Sequence, residues 1–388
     1  MPGLEITVVD SILDVPAEAW DALHAHEPVA ATPFLRHAFL AAMEASGSAS
    51  PRSGWHARHL LARRGRTLVG AAPAYRRDGS DGDFSRDWQW ASAAERAGVP
   101  YYPKLLLAVP FSPTTGRRVL AAEGEDRAAI VAAIVDEARA LARREGMHAL
   151  QVLFPGPDEA AELEAAGLAP RIDFQYHWVN AGYASPDDFL ARFPSKRRNA
   201  LRRERRAPAE QGITIRTVRG DELSRDPEGW AKACFALHRR TTDKMVWGMR
   251  WVNQRFYEAA IRGLPDAVEV VEARREGRMI GMAFNLASAE RLYGRYWGCS
   301  EEHPFLHFNV ALYHSIDECI RRGTKIFEGG AGGEHKVARG FEPAETWSAH
   351  AFLDPRMDRS VREYVAHELR ERRLAVQQWR EEHPRLGG

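Results

Sequence analysis

The sequence predicts a mixed α/β protein made of two copies of one unit and closed by a charged C-terminal helix. Its 388 residues exceed what one ordinary core accommodates. Two distant segments also share a hairpin pattern, and each hairpin is followed by a strand, a long amphipathic helix and another strand.

In the first half, residues 59–62 form an apolar run that enters a charged turn, Ala62-Arg63-Arg64-Gly65-Arg66, and leaves through Leu68, Val69 and Gly70. In the second, residues 268–272 lead through Ala273-Arg274-Arg275-Glu276-Gly277-Arg278 to Met279, Ile280 and Gly281. Apolar runs on either side of a glycine-bearing charged turn predict antiparallel hairpins. A strand at 105–109 then precedes a helix at 126–144, with Ile130, Ile134, Ala138 and Leu141 on one face, and a strand at 149–153. The second half repeats this with a strand at 292–297, a helix at 307–322 carrying Val310, Tyr313, Ile316 and Ile320 at helical spacing, and a strand at 325–328. Residues 174–179 read as the last strand of the first half. The boundary is expected at 182–186, where Ser185-Pro186-Asp187-Asp188 combines an N-cap, a first-turn proline and first-turn acids. The domains are therefore expected at 1–182 and 183–388, the latter with a basic helix at 195–206 and a C-terminal helix at 358–382.

Lys+Arg total 54 and Asp+Glu 53, so no global field recruits nucleic acid or a membrane surface, no DNA partner is expected, and a polyanion would have to meet a local patch. Cys234, Cys299 and Cys319 lie far apart, with no CxxC pair and no histidine at ligand spacing; neither structural zinc nor a disulfide framework is expected. No basic leader followed by an apolar segment opens the chain, and no apolar run has spanning length. The expected compartment is the cytoplasm, and no resident cofactor is expected.

The most informative segment is GTKIFEGGAGGEHKVARGFEP, where a glycine run beyond a short strand delivers Lys336, a cation suited to an anion or oxyanion. Glu328, Glu334 and His335 are the bases available beside it. In KRRNALRRERR seven cations face one local acid, Glu204, which favours phosphate binding, with Arg197, Arg198 and Arg202 as the chosen contacts. The strand-to-helix junction contains Tyr296, Pro304, Phe305, His307 and Asn309. His303 and His307 stand four apart without a third ligand, so packing or hydrogen bonding is favoured over a metal pair, with a general base next. In the first half, prolines and aromatics at 100–117 suggest a rigid rim where Lys104 and Arg117 could meet a carboxylate or phosphate; an ordinary proline-stiffened loop is the alternative.

TPFLRHAFLAAMEASGS, YYPKLLLAVPFSPTTGR, SKRRNALRRERR and PFLHFNVALYHSIDECIRRG followed by FEGGAGGEHKVARGFEP together resemble the FemAB-like family of peptidoglycan biosynthesis or recognition proteins, within the GNAT-fold acyltransferases. The resemblance covers nearly the whole chain and implies tandem GNAT-like domains. The acidic segment 78–87 departs from the family's pattern. Fem-type relatives transfer an amino acid from aminoacyl-tRNA to the amine of a cell-wall precursor, so the resemblance implies a tRNA donor and a nucleotide-linked or peptide acceptor. It places Lys336 near the donor, with Arg339 and Phe341 as neighbours. On this expectation a backbone amide at 296–298 polarises the acyl carbonyl and Lys336 stabilises the developing charge. Acyl-CoA as donor is the first alternative, disfavoured because Pro304, Phe305, His307 and Phe308 replace the glycine-rich pyrophosphate turn. A non-catalytic module that binds cell-wall fragments or RNA is the second.

Overall fold

The computed structural model describes residues 3–27, 32–244 and 249–382, apart from the side chains of Glu334 and Arg380. Contacts divide the chain into one unit of Met1–Phe174 with Glu345–Val376 and another of Gln175–Ala344 with Gln377–Gly388. The division expected at 182/183 thus falls eight residues earlier, and most of the C-terminal helix packs with the first unit. The reason is chemical: Val361 and Val365 on helix Pro355–Glu382 join Trp90, Tyr101 and Phe352, while Glu368 accepts from Arg171 at 2.8 Å.

In the first unit, strands Leu4–Val9, His59–Arg64, Thr67–Ala72 and Leu120–Ala121 form one antiparallel group. A second group orders Trp55–Ala57, Ala74–Arg77, Lys104–Leu107, Ala149–Leu153 and the end of Glu342–Phe352 side by side. Lys104–Leu107 and Ala149–Leu153 run parallel, with Leu105 opposite Leu150, as their connection through helix Arg127–Arg144 requires. Asp126 caps that helix by accepting from the Ala129 amide at 3.1 Å. Ile130, Ile134, Ala138 and Leu141 pack onto Leu60, Val69, Leu105 and Leu150, so the helical stripe read from the sequence is the core face.

The second unit orders its strands as Ile213–Arg219, Val268–Arg275, Arg278–Ala287, Arg291–Cys299 and Ile326–Glu328, with residues 177–179 of Ala169–Val179 last. All neighbours are antiparallel except Arg291–Cys299 and Ile326–Glu328, which run parallel because helical residues 306–322 cross between them. That helix is not uniform. Asn309–Tyr313 is a π-turn between Leu306–Phe308 and His314–Arg322, and Gly323 ends the helix in the left-handed conformation (φ 71°). Helix Pro227–Thr242 covers the other face so closely that a Cβ on Gly298 would lie 2.3 Å from the His238 backbone nitrogen. Gly298→Ala is therefore expected to cost about 1–3 kcal/mol through overpacking, measurable as a lower denaturant midpoint.

Candidate active site

Strands Arg291–Cys299 and Ile326–Glu328 are paired only at Arg291, Leu292 and Tyr293, opposite Ile326, Phe327 and Glu328. Beyond that point the ladder between them stops, leaving the edge of 294–299 on that side unpaired by Ile326–Glu328. A bulge contributes to the divergence. Phe284 faces Tyr296 and Asn285 faces Gly294, which leaves Arg295 as the extra residue and re-aims the side chains after it. Trp297 consequently points toward the helix side, where it meets His307 at 5.0 Å between ring centres, whereas Tyr296 packs toward His238 on the opposite face at 5.2 Å.

The glycine run begins where the pairing ends. A Cβ on Gly330 would approach the Gly294 carbonyl to 3.4 Å, so the run lies against the diverging strand. Gly330, Gly332 and Gly333 all have positive φ, and they turn their chain so that Lys336 Nζ donates to the carbonyls of Gly330 and Gly332, each at 2.7 Å. Residues Glu334–Arg339 form a short 3-10 helix that carries Lys336. Only 5% of Lys336 is exposed. Burial lowers its ammonium to about 8, which leaves it mostly protonated at neutral pH and close to releasing its proton.

Arg339 fixes this segment. Its guanidinium lies 3.4 Å from the ring centre of Phe308 and donates to Glu204 at 3.0 Å and to the His335 carbonyl at 2.9 Å. Glu204 also accepts from the Tyr313 hydroxyl and, at 3.4 Å, from Arg197. The helix Ser195–Glu210 contains Pro208, which cannot donate to the Glu204 carbonyl; Asn309 Nδ2 fills that place at 2.9 Å. One glutamate therefore ties the basic helix, the π-turn and the Lys336 segment together. Glu204→Gln is expected to destabilise the protein by about 3–5 kcal/mol, since it leaves the buried Arg339 unpaired; thermal unfolding checks this. Beside the π-turn lies a cavity of about 220 Å³ among Arg205, Pro208, Ile213, Tyr313 and Asp317.

The expected site residues divide sharply. Lys336, His335, Arg339, His307 and Phe341 do gather around the glycine run: the Phe341 ring lies tilted against Phe327 with centres 5.6 Å apart, and His335 lies 6.3 Å from His307. Burial and the nearby His335, Lys336 and Arg339 lower His307 to about 4, and burial with Lys336 and Arg339 also lowers His335. Glu328 stands at the base of the divergence but is buried, accepting from Arg291 at 2.8 Å. Its other oxygen lies 3.9 Å from His177 Nε2, a neighbour that no sequence motif singled out. The Glu334 side chain lies outside the described residues. The Tyr296 side chain is enclosed by His238, Phe256, Tyr257 and Phe284, and burial raises its hydroxyl, so its backbone is what it can offer a substrate. Asn309 is buried in the structural bond to Glu204 rather than presented to a ligand.

Two expectations are corrected. Lys104 does not line a rim. It is fully buried, 2.6 Å from Asp87, 2.9 Å from Asp83, 2.8 Å from Ser80 and 3.0 Å from Gln151. The acidic segment 78–87 supplies these counter-charges, which accounts for its composition. Arg117 is engaged by Glu27 through two bonds of 3.0 Å. The basic helix is also less unopposed than its sequence implied, because Asp187 and Asp317 supply counter-charges and other groups accept from Arg197 and Arg198. Arg197 donates to the Ala338 carbonyl at 2.7 Å, Arg198 to Ser195 at 3.4 Å, Arg202 to Asp187 at 2.9 Å and Arg205 to Asp317 at 2.7 Å. Lys196 and Arg203 are exposed without a charged partner among the described residues. Among those residues, no three or more His, Cys, Asp or Glu gather as metal ligands, and no helix is long and apolar enough to cross a membrane.

The first unit has a strand–helix–strand crossing too, but its chain closes the corresponding edge. Beyond the paired stretch of Ala149–Leu153, the Gly116 amide donates to the Phe154 carbonyl at 3.1 Å. The buried Arg118 side chain donates to the carbonyls of Leu153 and Thr114 at 2.7 and 2.6 Å. Backbone groups that a ligand would meet there are already satisfied.

No curated protein matches this sequence. Among solved structures, FemX is 13% identical over 92% of this chain and 100% of its own, with a TM-score of 0.52. The C-terminal domain of a putative lysylphosphatidylglycerol synthetase from Agrobacterium fabrum is 11% identical over 91% of this chain and 96% of its own, also at 0.52. A tandem GNAT protein from the clavulanic acid biosynthesis pathway is 15% identical over 91% of this chain and 99% of its own, at 0.43. The likenesses to FemX and to the synthetase domain concern the fold alone. The FemAB-like family model, described as peptidoglycan biosynthesis/recognition, matches residues 11–385, and the chain belongs to that family.

Proposed function

We propose that the protein is an N-acyltransferase of the Fem type, moving an aminoacyl group from aminoacyl-tRNA to an amine on a cell-wall precursor or peptide. The observation that carries this reading is the divergence beyond Tyr293 and Glu328 with Lys336 held at its glycine-lined side. An unpaired strand edge offers backbone donors to an acyl carbonyl, and a buried ammonium favours the negative charge that develops during acyl transfer. In the reaction, the acceptor nitrogen attacks the ester carbonyl, the N–C bond forms, the C–O bond to ribose breaks, and the nitrogen's proton is lost as the ribose oxygen gains one. Lys336 is suited to stabilise the oxyanion or to donate to the leaving oxygen, because its lowered affinity for the proton eases that transfer.

Bases for the amine are His335, exposed beside Lys336, and Glu328, which is tied to Arg291. Acyl-CoA remains the second reading on one observation: the divergence itself suits any thin acyl donor. Binding of a charged tRNA pool across a salt series, run beside an acetyl-CoA titration, separates the two. Salt-steep tRNA affinity weakened by neutralising the exposed Lys196 and Arg203 supports aminoacyl transfer. Tight CoA binding without tRNA binding overturns it.

A further inference from the structure

Pairing on both sides of Ile326–Glu328 ends in one row, where Glu328 stands opposite Tyr293 on one neighbour and opposite His177 on the other. The row before it, Leu292, Phe327 and Trp178, packs with Leu312 and Ile316 of the crossing helix, so strand alternation turns Tyr293, Glu328 and His177 to the opposite face. This last row lies at the base of the divergence. Lys336 passes beside its end, since a Cβ on Gly329 would lie 3.4 Å from Lys336 Cε.

Two atoms of the row are left unsatisfied. Glu328 Oε2 and His177 Nε2 are enclosed, have no hydrogen-bond partner among the described residues, and face each other at 3.9 Å, too far for a hydrogen bond. Arg291 holds the other carboxylate oxygen at 2.8 Å. Buried polar atoms are ordinarily paired, so an acid and an imidazole held just short of contact suit a pair that closes when a proton arrives. His177 Nδ1 is neither enclosed nor hydrogen-bonded among the described residues, and 5% of the residue is exposed. We infer that His177 Nδ1 takes the proton of the acceptor amine while Glu328 holds the resulting imidazolium through Nε2, an inference that rests on the acyl-transfer reading above.

The charges around the ring fit this role. Burial, Arg291 and Lys336 hold His177 below its ordinary value against the pull of Glu328, so the imidazole is neutral at pH 7 and has a lone pair to offer. As the acceptor nitrogen forms its bond to the carbonyl carbon, the electrons of the breaking C–O bond pass to the leaving oxygen; Lys336 gives that oxygen a proton and His177 receives one from the nitrogen. One positive charge thereby moves from Lys336 to His177, and the field that opposed protonation of the ring weakens at the step that needs it. Water returns the proton from His177 to Lys336 after release. His335 suits the task less well, because Lys336 and Arg339 both oppose a positive charge there. Glu328 acts through the imidazole, since its Oε2 is enclosed and His177 Nδ1 is not.

The test measures amide formation on an amine-bearing peptide at saturating donor and acceptor, for the parent and His177→Ala, across a pH series. At neutral pH the variant is expected to be slower by about 10²–10⁴-fold, the range for one general base. The ratio of parent to variant rate is the sharper reading. Titration of the acceptor amine and of Lys336 is common to both proteins and cancels, so the ratio should shrink as pH falls through the His177 value, which lies below 6.5. Glu328→Gln keeps the shape and removes the anion, and it should move that limb to lower pH. His177→Gln carries the same expectation as the alanine variant and replaces it if alanine lowers the unfolding midpoint. A ratio near one, or one flat with pH as a purely structural role would give, overturns the inference and leaves acyl transfer standing. A parent that forms no amide from either an aminoacylated RNA or acetyl-CoA overturns both. The expected limb with acetyl-CoA as the only working donor keeps the role of His177 and removes the RNA donor.

Discussion

Replacing Lys336 with alanine is expected to lower the acyl-transfer rate about 10²–10³-fold, the range for loss of one preorganised charge-stabilising donor. Donor affinity should change much less, because the basic helix is left in place. The pH profile carries the sharper signature. The active ammonium predominates below its value of about 8, so the parent's rate should fall above that pH, and the alanine variant should lack this limb. Stability runs the other way. An ammonium whose folded value lies below its unfolded 10.5 destabilises the fold while charged, and this penalty is relieved as pH rises from about 8 to 10.5. The stability difference between parent and Lys336→Met should accordingly move in the parent's favour as pH rises from about 8 toward 10.5. A Lys336→Met protein whose stability difference is flat across this range would contradict the buried, two-carbonyl geometry.

Lys104→Met should destabilise the first unit by about 3–5 kcal/mol without a comparable effect on chemistry in the second. The ammonium lies between Asp83 and Asp87 with no exposure of either acid's side chain to solvent, and its removal strands two buried carboxylates. Tyr101 donates to Asp87 at 2.6 Å, so part of one charge remains satisfied. Lys104 and its hydrogen bonds keep the Asp87 carboxyl below its ordinary range, despite an opposing push from burial. The stability that Asp87 contributes is therefore present above the unfolded carboxyl's pKa and is lost as pH falls through the lower folded value. Urea unfolding of parent and variant at pH 7 measures the loss. A difference under 1 kcal/mol would show that the cluster does not hold the unit together.

How much of this was legible in the sequence depended on the range of the interaction. The helix at 126–144 and the strand at 149–153 announced themselves because a solvent boundary imprints period on side chains. Lys336 was visible because close backbone approach requires glycine. Lys104 was misread because proline and aromatics around it resembled a loop rim, while its acids lay about 20 residues upstream in a segment that looked solvated. Glu204 was counted as one acid among seven cations; nothing local indicated that Tyr313 and Arg339 would converge on it. His177 meets Glu328 only through strand register, and Trp297 meets His307 only beyond a bulge at Arg295. Such placements depend on pairing between distant strands, which periodicity within one element cannot encode.

The most direct test of acyl transfer in the second unit is to measure amide formation on an amine-bearing peptide from two donors in parallel, an aminoacylated RNA ending in CCA and acetyl-CoA. The account predicts product from the RNA donor, suppressed by Lys336→Ala and retained in an Arg117→Ala protein, whose change lies in the first unit. Product from acetyl-CoA alone, or an undiminished rate in Lys336→Ala, would contradict it.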